Sequence, residues 1–399
     1  MLPILDSTRY RFKRTFLLAC VGIGLLASSL AQAQSKVMEL VAQTQKQFAP
    51  DKRIAIFQVE VNGTVLRGKT NLPKAKEALF AKLKAEKLDF QDSIRLLPDK
   101  TQLGERTFGV VTVSVSNIRT NAKHSAELAT QALLGMPVTV LEQEDEWLSV
   151  QTPDKYIAWA APGSIKLMDK TSFERWQKAK KIVCIVPFTF TYTEPSLESQ
   201  TISDLVAGCM MEWLGDRGDF YQVAYPDGRT AYVSKYQTKP YDQWLSNLKT
   251  NEESLVKTSK QLMGIPYLWG GTSFKGVDCS GFTKTVYFMN GLVLPRDASQ
   301  QVYAGEEVDT SKGFESLKPG DLLFFGKKAE DGKPEKVVHV GMWIGNMEFI
   351  HSSGMVKINS FDPKAPNFNE YELNRFLRVK RILGSNLKGV MSLKPQVAQ

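Results

Sequence analysis

Sliding the chain against itself at a constant offset of 73 residues brings Gly135 onto Gly208, Leu141 onto Leu214, Trp147 onto Phe220 and Val150 onto Val223. The same offset sets Pro153-Asp154 on Pro226-Asp227 and Ala158-Trp159 on Ala231-Tyr232. One offset holding across so many positions marks a duplicated module, and a duplicated module restricts the folds open to the middle of the chain. Each copy strings short β runs around a Pro-Asp turn with an aromatic strand after it. That pattern predicts two small β-barrels, over residues 108–170 and 171–245. Asp227-Gly228 is the better turn pair; the first copy has Asp154-Lys155.

The flanks read differently. Residues 34–107 predict a small α+β domain: Arg53–Val61 alternates as a strand, Asn62-Gly63 signals a hairpin, and Pro73 opens a helix burying Ala75, Leu79 and Leu83. Residues 246–385 predict an α+β domain, with a helix over Leu255–Met263 and another starting near Cys279. Strands follow at Leu322–Phe325, Val337–Ile344 and Glu348–Ser352, and residues 386–399 form a tail. The fold class is therefore multidomain, with two β-barrels between a small α+β domain and a larger one.

Residues 1–33 have the order of an export signal. A basic segment, Arg9 to Arg14, precedes an apolar run from Thr15 to Leu30 and the triplet Ala31-Gln32-Ala33. The run is shorter than the ~20 residues a spanning helix needs, so no stable membrane span is expected after its removal. A retained anchor, or lipidation at Cys20, fits the pattern less well. This segment holds +3 of the formal charge of +9. The remaining excess is too modest and dispersed for nucleic-acid binding, and suits a negatively charged polymer nearby. Beyond it only Cys184, Cys209 and Cys279 remain. Cys184 and Cys209 suit either a disulfide or two buried thiols; Cys279 stands apart.

Asp278 suits the N-cap of the helix that Cys279 begins, with Phe282, Val286 and Met289 as its core stripe and Gly291 as its stop. A first-turn cysteine feels unpaired N–H groups and the positive end of the helix dipole, which predicts a lowered thiol pKa. Two of the chain's three histidines, His339 and His351, fall in the same domain on predicted strands. A nucleophile, a base and a base-orienting group match these three residues in that order. Register supplies a test. A two-residue Gly345-Asn346 turn would put the histidines on opposite faces, whereas one more residue, or a bulge, would put them on the same face. Catalysis predicts the second. A zinc site lacks a close ligand pair, so neither metal nor cofactor is expected.

Tyr267-Leu268-Trp269-Gly270-Gly271 followed by Asp278-Cys279-Ser280-Gly281-Phe282 resembles the nucleophile region of the NlpC-type cell-wall cysteine peptidases, a rearranged papain-like family. Arg296-Asp297, Leu317-Lys318-Pro319-Gly320-Asp321-Leu322, His339-Val340-Gly341-Met342 and Phe349-Ile350-His351-Ser352 continue the resemblance in order, over about 260–355. It implies Cys279 as nucleophile, His339 as general base, His351 as the polar third member, and Tyr267 beside the thiolate. With two SH3-like domains ahead of the peptidase domain, the chain resembles one branch of the family, the γ-D-glutamyl-L-diamino-acid endopeptidases. That branch implies a peptidoglycan stem peptide, L-Ala-γ-D-Glu-diamino acid, as substrate. It also implies that the first SH3-like domain blocks one end of the cleft, so that a free N-terminal amine is required. Asp278, Ser280 and Asp297 would line the substrate side, joined by Glu127 and Tyr156 from the first SH3-like domain. A serine that some relatives carry after Arg-Asp is Ala298 here.

Plainer roles exist for each. Asp278 suits a simple cap, Asp297 a surface pair with Arg296, Glu127 a solvated charge opening a helical turn over Ala126–Leu134, and Tyr156 an edge-strand aromatic. Val338, Trp343 and Phe349 read as core. Two other functions use the same residues: an inactive wall-binding protein, or an amidase or acyltransferase with the same Cys-His pair. The expectation is a monomeric hydrolase of the periplasm or cell envelope.

Overall fold

The computed structural model describes residues 32–330, 332–385 and 387–394. The basic segment, the apolar run and Cys20 of the expected export signal lie outside the described residues. No helix among the described residues is long and apolar enough to cross a membrane. The chain divides into two compact units, one ending at Asp99 and the other beginning at Lys100.

The first unit pairs strand Phe57–Asn62 antiparallel with Val65–Thr70, which pairs parallel with Gln91–Leu96. A parallel neighbour requires a crossover, supplied by helix Pro73–Ala85 with Ala75, Leu79 and Leu83 buried. Proline at its first turn costs the helix no hydrogen bond. The hairpin turn falls on Gly63-Thr64, one residue later than the Asn-Gly signal suggests.

In the second unit the duplication is visible strand by strand. The first copy has strands Phe108–Val111, Val115–Arg119, Leu128–Leu133, Pro137–Glu144, Trp147–Gln151, Ile157–Ala160 and Ile165–Met168. The second has Lys181–Cys184, Phe188–Tyr192, Thr201–Val206, Met210–Arg217, Phe220–Ala224, Thr230–Ser234 and Thr238–Pro240, each starting 73 residues after its counterpart. Both sheets hold their strands in the same spatial order. Their bulges also match, at Val140/Glu142 and Trp213/Gly215. Lys155 takes the left-handed conformation, φ 68°, that Gly228 takes in the second copy. The expected helical turn at Ala126–Leu134 is instead strand Leu128–Leu133, because pairing with Val115–Arg119 outweighs the local helix preference of Leu and Ala. Cys184 and Cys209 are buried free thiols.

The C-terminal part is a six-stranded antiparallel sheet in the order Glu306–Val308, Phe376–Arg381, Leu322–Lys327, Lys336–Gly345, Glu348–Ser353, Met355–Ser360. Helix Cys279–Phe288 packs on its middle strands and is buried on nearly every side. Its Phe282, Val286 and Tyr287 share one apolar core with Ile182, Leu205 and Val223 of the second copy. Burying side chains of that size gains roughly 1.5–3 kcal/mol each, so the copy and the helix are held as one body. Gly208 allows the close approach: at φ +93°, a Cβ there would lie 2.7 Å from the Phe288 ring.

The histidine hairpin has the register that catalysis requires. Met342 pairs with Ile350 and Trp343 with Phe349, then Gly345 pairs with Glu348, so Ile344 is a bulge. The turn itself is Asn346-Met347, at φ 53° and 60°, and not the expected Gly345-Asn346. His351 thus lies opposite Gly341, two residues from His339 on the same face. A second irregularity, between Phe325 and Gly326, skips Val338. That residue is expelled to 45% exposure, whereas Trp343 and Phe349 are core as expected.

Candidate active site

Helix capping starts the site. Asp278 Oδ1 accepts from Gly281 N at 2.7 Å, fixing the first turn with Cys279 as its first residue. Asp278 Oδ2 accepts from Gly270 N at 2.9 Å, tying the Tyr267–Gly271 motif to the cap. The tie needs glycine at 281, where a Cβ would stand 1.9 Å from Gly271 O. Arg296, buried and not on the surface, donates to both Asp278 oxygens, at 2.6 and 3.2 Å, and to Ser280 Oγ at 3.0 Å. Its separation from Asp297 is 3.8 Å, so its principal partner is Asp278 and not its sequence neighbour. A guanidinium matches a carboxylate in two parallel bonds, and Asp278 offers the deeper site.

Cys279 is buried, and the backbone of Val340, the residue after His339, favours its ionised form. Burial, followed by the Asp278 charge, pushes the thiol up to about 12 against the pull of the Val340 and Ser280 backbone. The expected lowering by the helix N-terminus is outweighed, and the resting residue is a neutral thiol.

The base can be assigned atom by atom. Asn359 Nδ2 donates to Asn367 O at 3.0 Å, so its Oδ1 faces His351 Nε2 at 2.8 Å. Nε2 must then carry the His351 proton, leaving Nδ1 as acceptor. His339 Nε2 lies 2.7 Å from that Nδ1 and is therefore the donor. The remaining lone pair of neutral His339 is on Nδ1. Burial lowers the pKa of both rings, that of His351 to about 4 and that of His339 well below its usual value. Across the neutral range this is a relay of two neutral imidazoles, with the basic nitrogen at its end.

Glu372 is a third buried group here, its Oε1 3.9 Å from His339 Nε2. His339, His351 and Glu372 are close enough together for a metal to be considered. However, 2.7 Å between nitrogens is a hydrogen bond, and both Glu372 oxygens accept from Arg375, at 2.7 and 3.2 Å. The donor set fits a proton relay better than a cation.

The other expected residues gather around this centre. Tyr267 is half-buried; burial and the neighbouring Cys279 raise its pKa, so it remains a phenol. Ser280 is buried, its Oγ donating to Asp278 at 3.2 Å. From the first copy, Tyr156 donates to Asp297 Oδ2 at 3.3 Å, and exposed Glu127 accepts from Trp269 Nε1 at 2.5 Å. Arg296, Asn359, Glu372 and Trp269 were not anticipated as site residues. Trp269 lies inside the quoted motif, whereas Asn359 and Glu372 follow it with no spacing signal.

Residues 264–375 match the NlpC/P60 family, and 118–165 match the bacterial dipeptidyl-peptidase SH3 domain. A γ-D-glutamyl-L-lysine dipeptidyl-peptidase of Bacillus cereus is 32% identical over 57% of this chain and 67% of its own length. A protein of the same name from Bacillus subtilis is 30% identical, over 56% of this chain and 72% of its own. The chain belongs to the NlpC/P60 family. A crystal structure of an NlpC/P60 protein from Bacillus cereus covers 69% of this chain and 99% of its own, at 25% identity and a TM-score of 0.58. As a family member the chain is a cysteine peptidase with SH3-like architecture ahead of its NlpC/P60 domain.

Proposed function

We propose that this NlpC/P60 peptidase is an exported endopeptidase that cleaves the γ-D-glutamyl-L-diamino-acid bond of peptidoglycan stem peptides with a free N-terminal L-alanine. The carrying observation is that two residues of the first copy reach the peptidase motifs, Glu127 bonding to Trp269 of the nucleophile region and Tyr156 to Asp297 of the Arg-Asp pair. In this reading Glu127 meets the substrate ammonium, while the hydroxyls of Tyr156 and Ser280 meet the D-glutamate α-carboxylate. Asp278 and Asp297 hold that wall in shape. Residues 108–170 and 171–245 are the SH3-like domains and 246–385 the peptidase domain. The export pattern in residues 1–33 supports a periplasmic or envelope location, and a free-amine substrate suits fragment recycling.

Attack follows from the tautomers. As Cys279 Sγ bonds to the γ-carbonyl carbon, His339 Nδ1 takes the thiol proton and the electron pair moves onto the carbonyl oxygen. N–H groups at the start of helix Cys279–Phe288 stabilise that oxyanion, and Tyr267 orients the carbonyl. Collapse expels the diamino acid's α-amine, which takes the proton from His339. Water, deprotonated by the same nitrogen, then attacks the thioester carbon; collapse releases L-Ala-γ-D-Glu, and the Cys279 thiolate takes the proton back from His339.

Product analysis by mass spectrometry after incubation with L-Ala-γ-D-Glu-L-Lys tests the reaction. Release of the dipeptide by the wild type and not by Cys279→Ala is expected. An unchanged tripeptide, with release of that tripeptide from its N-acetylmuramoyl conjugate, would indicate an amidase, and tight binding without turnover would indicate a wall-binding protein.

A further inference from the structure

The Pro-Asp turn occurs in both copies, but only one has been recruited to the nucleophile helix. In the second copy Asp227 pairs with its own neighbour, Arg229. In the first copy Asp154 pairs with Lys284 on helix Cys279–Phe288, and both side chains are largely withdrawn from solvent. Lys284 holds the Asp154 carboxyl below its usual range even though burial pushes the other way. Asp154 Oδ1 also accepts from Thr152 Oγ1 at 2.6 Å, and Thr152 N and Oγ1 both bond to Tyr156 O, at 2.9 and 3.1 Å. The turn is thereby closed on itself, and Tyr156 leaves it for Asp297.

The Asp154–Lys284 pair borders a cavity of about 500 Å³ whose lining includes both residues and Thr285. Thr285 Oγ1 is buried there without a partner. Elsewhere the first copy is attached through Gln131, bonded to Thr272 and Ser273 on the Glu127 side, and through Ser114, whose Oγ accepts from Lys275 Nζ at 2.9 Å.

We infer that the largely solvent-shielded Asp154–Lys284 pair is a specificity-determining pin, holding the Tyr156 turn over the substrate end of the cleft so that only peptides with a free N-terminus are accommodated. This rests on the proposed endopeptidase reading. Asp154 and Lys284 are positioning residues: they act through Tyr156 and take no part in the chemistry.

The experiment compares kcat/KM for L-Ala-γ-D-Glu-L-Lys and its N-acetyl derivative in full-length wild type, Lys284→Met and Asp154→Leu/Lys284→Met. Lys284→Met strands a buried carboxylate and lowers Tm; the double variant removes both charges and recovers Tm. Loss of the pin should cut the free-amine preference of the recovered double variant at least tenfold, mainly through a higher KM for the free-amine peptide. A recovered double variant with the wild-type preference would overturn the inference. So would equal losses on both peptides. If the wild type itself shows no preference, the endopeptidase gating fails instead, which separates the two claims.

Discussion

His339 Nε2 and His351 Nδ1 lie 2.7 Å apart across the hairpin, brought together by the single bulged residue Ile344. Without the bulge the two rings would face opposite sides of the sheet. The proton order along this relay is set at its far end by the Asn359 amide. Asn359→Leu removes that constraint and lets His351 adopt the tautomer that denies His339 its acceptor. A drop in kcat of about 100-fold is expected, with KM little changed. Steady-state kinetics on the tripeptide would show it.

Burial of His351 makes stability depend on pH. An unfolded histidine titrates near 6.5, whereas His351 in the fold is lowered to about 4. Between those values the unfolded chain binds a proton that the folded chain excludes, so stability falls as pH drops from 6.5 to about 4 and levels off below. The full difference is about 3 kcal/mol, and His339 contributes in the same direction. Urea midpoints should fall more steeply over this window in wild type than in His351→Asn.

The resting thiol gives a second pH signature. With Cys279 pushed up to about 12, alkylation of the free enzyme by iodoacetamide should accelerate with pH and show no plateau below pH 9. A plateau near pH 6 would mean a preformed thiolate–imidazolium pair and contradict the neutral relay.

Arg296 should matter more for folding than its place beside Asp297 suggests. Arg296→Met leaves the Asp278 carboxylate buried without its guanidinium, at a cost of about 3–5 kcal/mol. Adding Asp278→Asn should recover part of that loss in denaturant titrations.

Much of this was legible in the sequence because it is periodic or contiguous. The offset of 73 set the start of every strand in the second copy, and the capping residue beside Cys279 fixed its helix. The departures have physical causes. Leu128–Leu133 carries helix-forming residues that a sheet partner overrides. Met347 at φ 60° is a turn position that its residue type does not advertise, which displaced the hairpin turn by one residue. Arg296 finds its partner eighteen positions back, on another element, where adjacency cannot point. Asn359 and Glu372 reach the histidines only after the chain has folded back past them.

The most direct measurement is kcat/KM of the wild-type protein for L-Ala-γ-D-Glu-L-Lys beside its N-acetyl derivative, with Cys279→Ala as control. The account predicts cleavage between D-glutamate and lysine in the free-amine peptide, at least 100-fold weaker cleavage of the acetylated one, and none of either by the control. Equal cleavage of both by the wild type would contradict the closed cleft and the role of Glu127 within it.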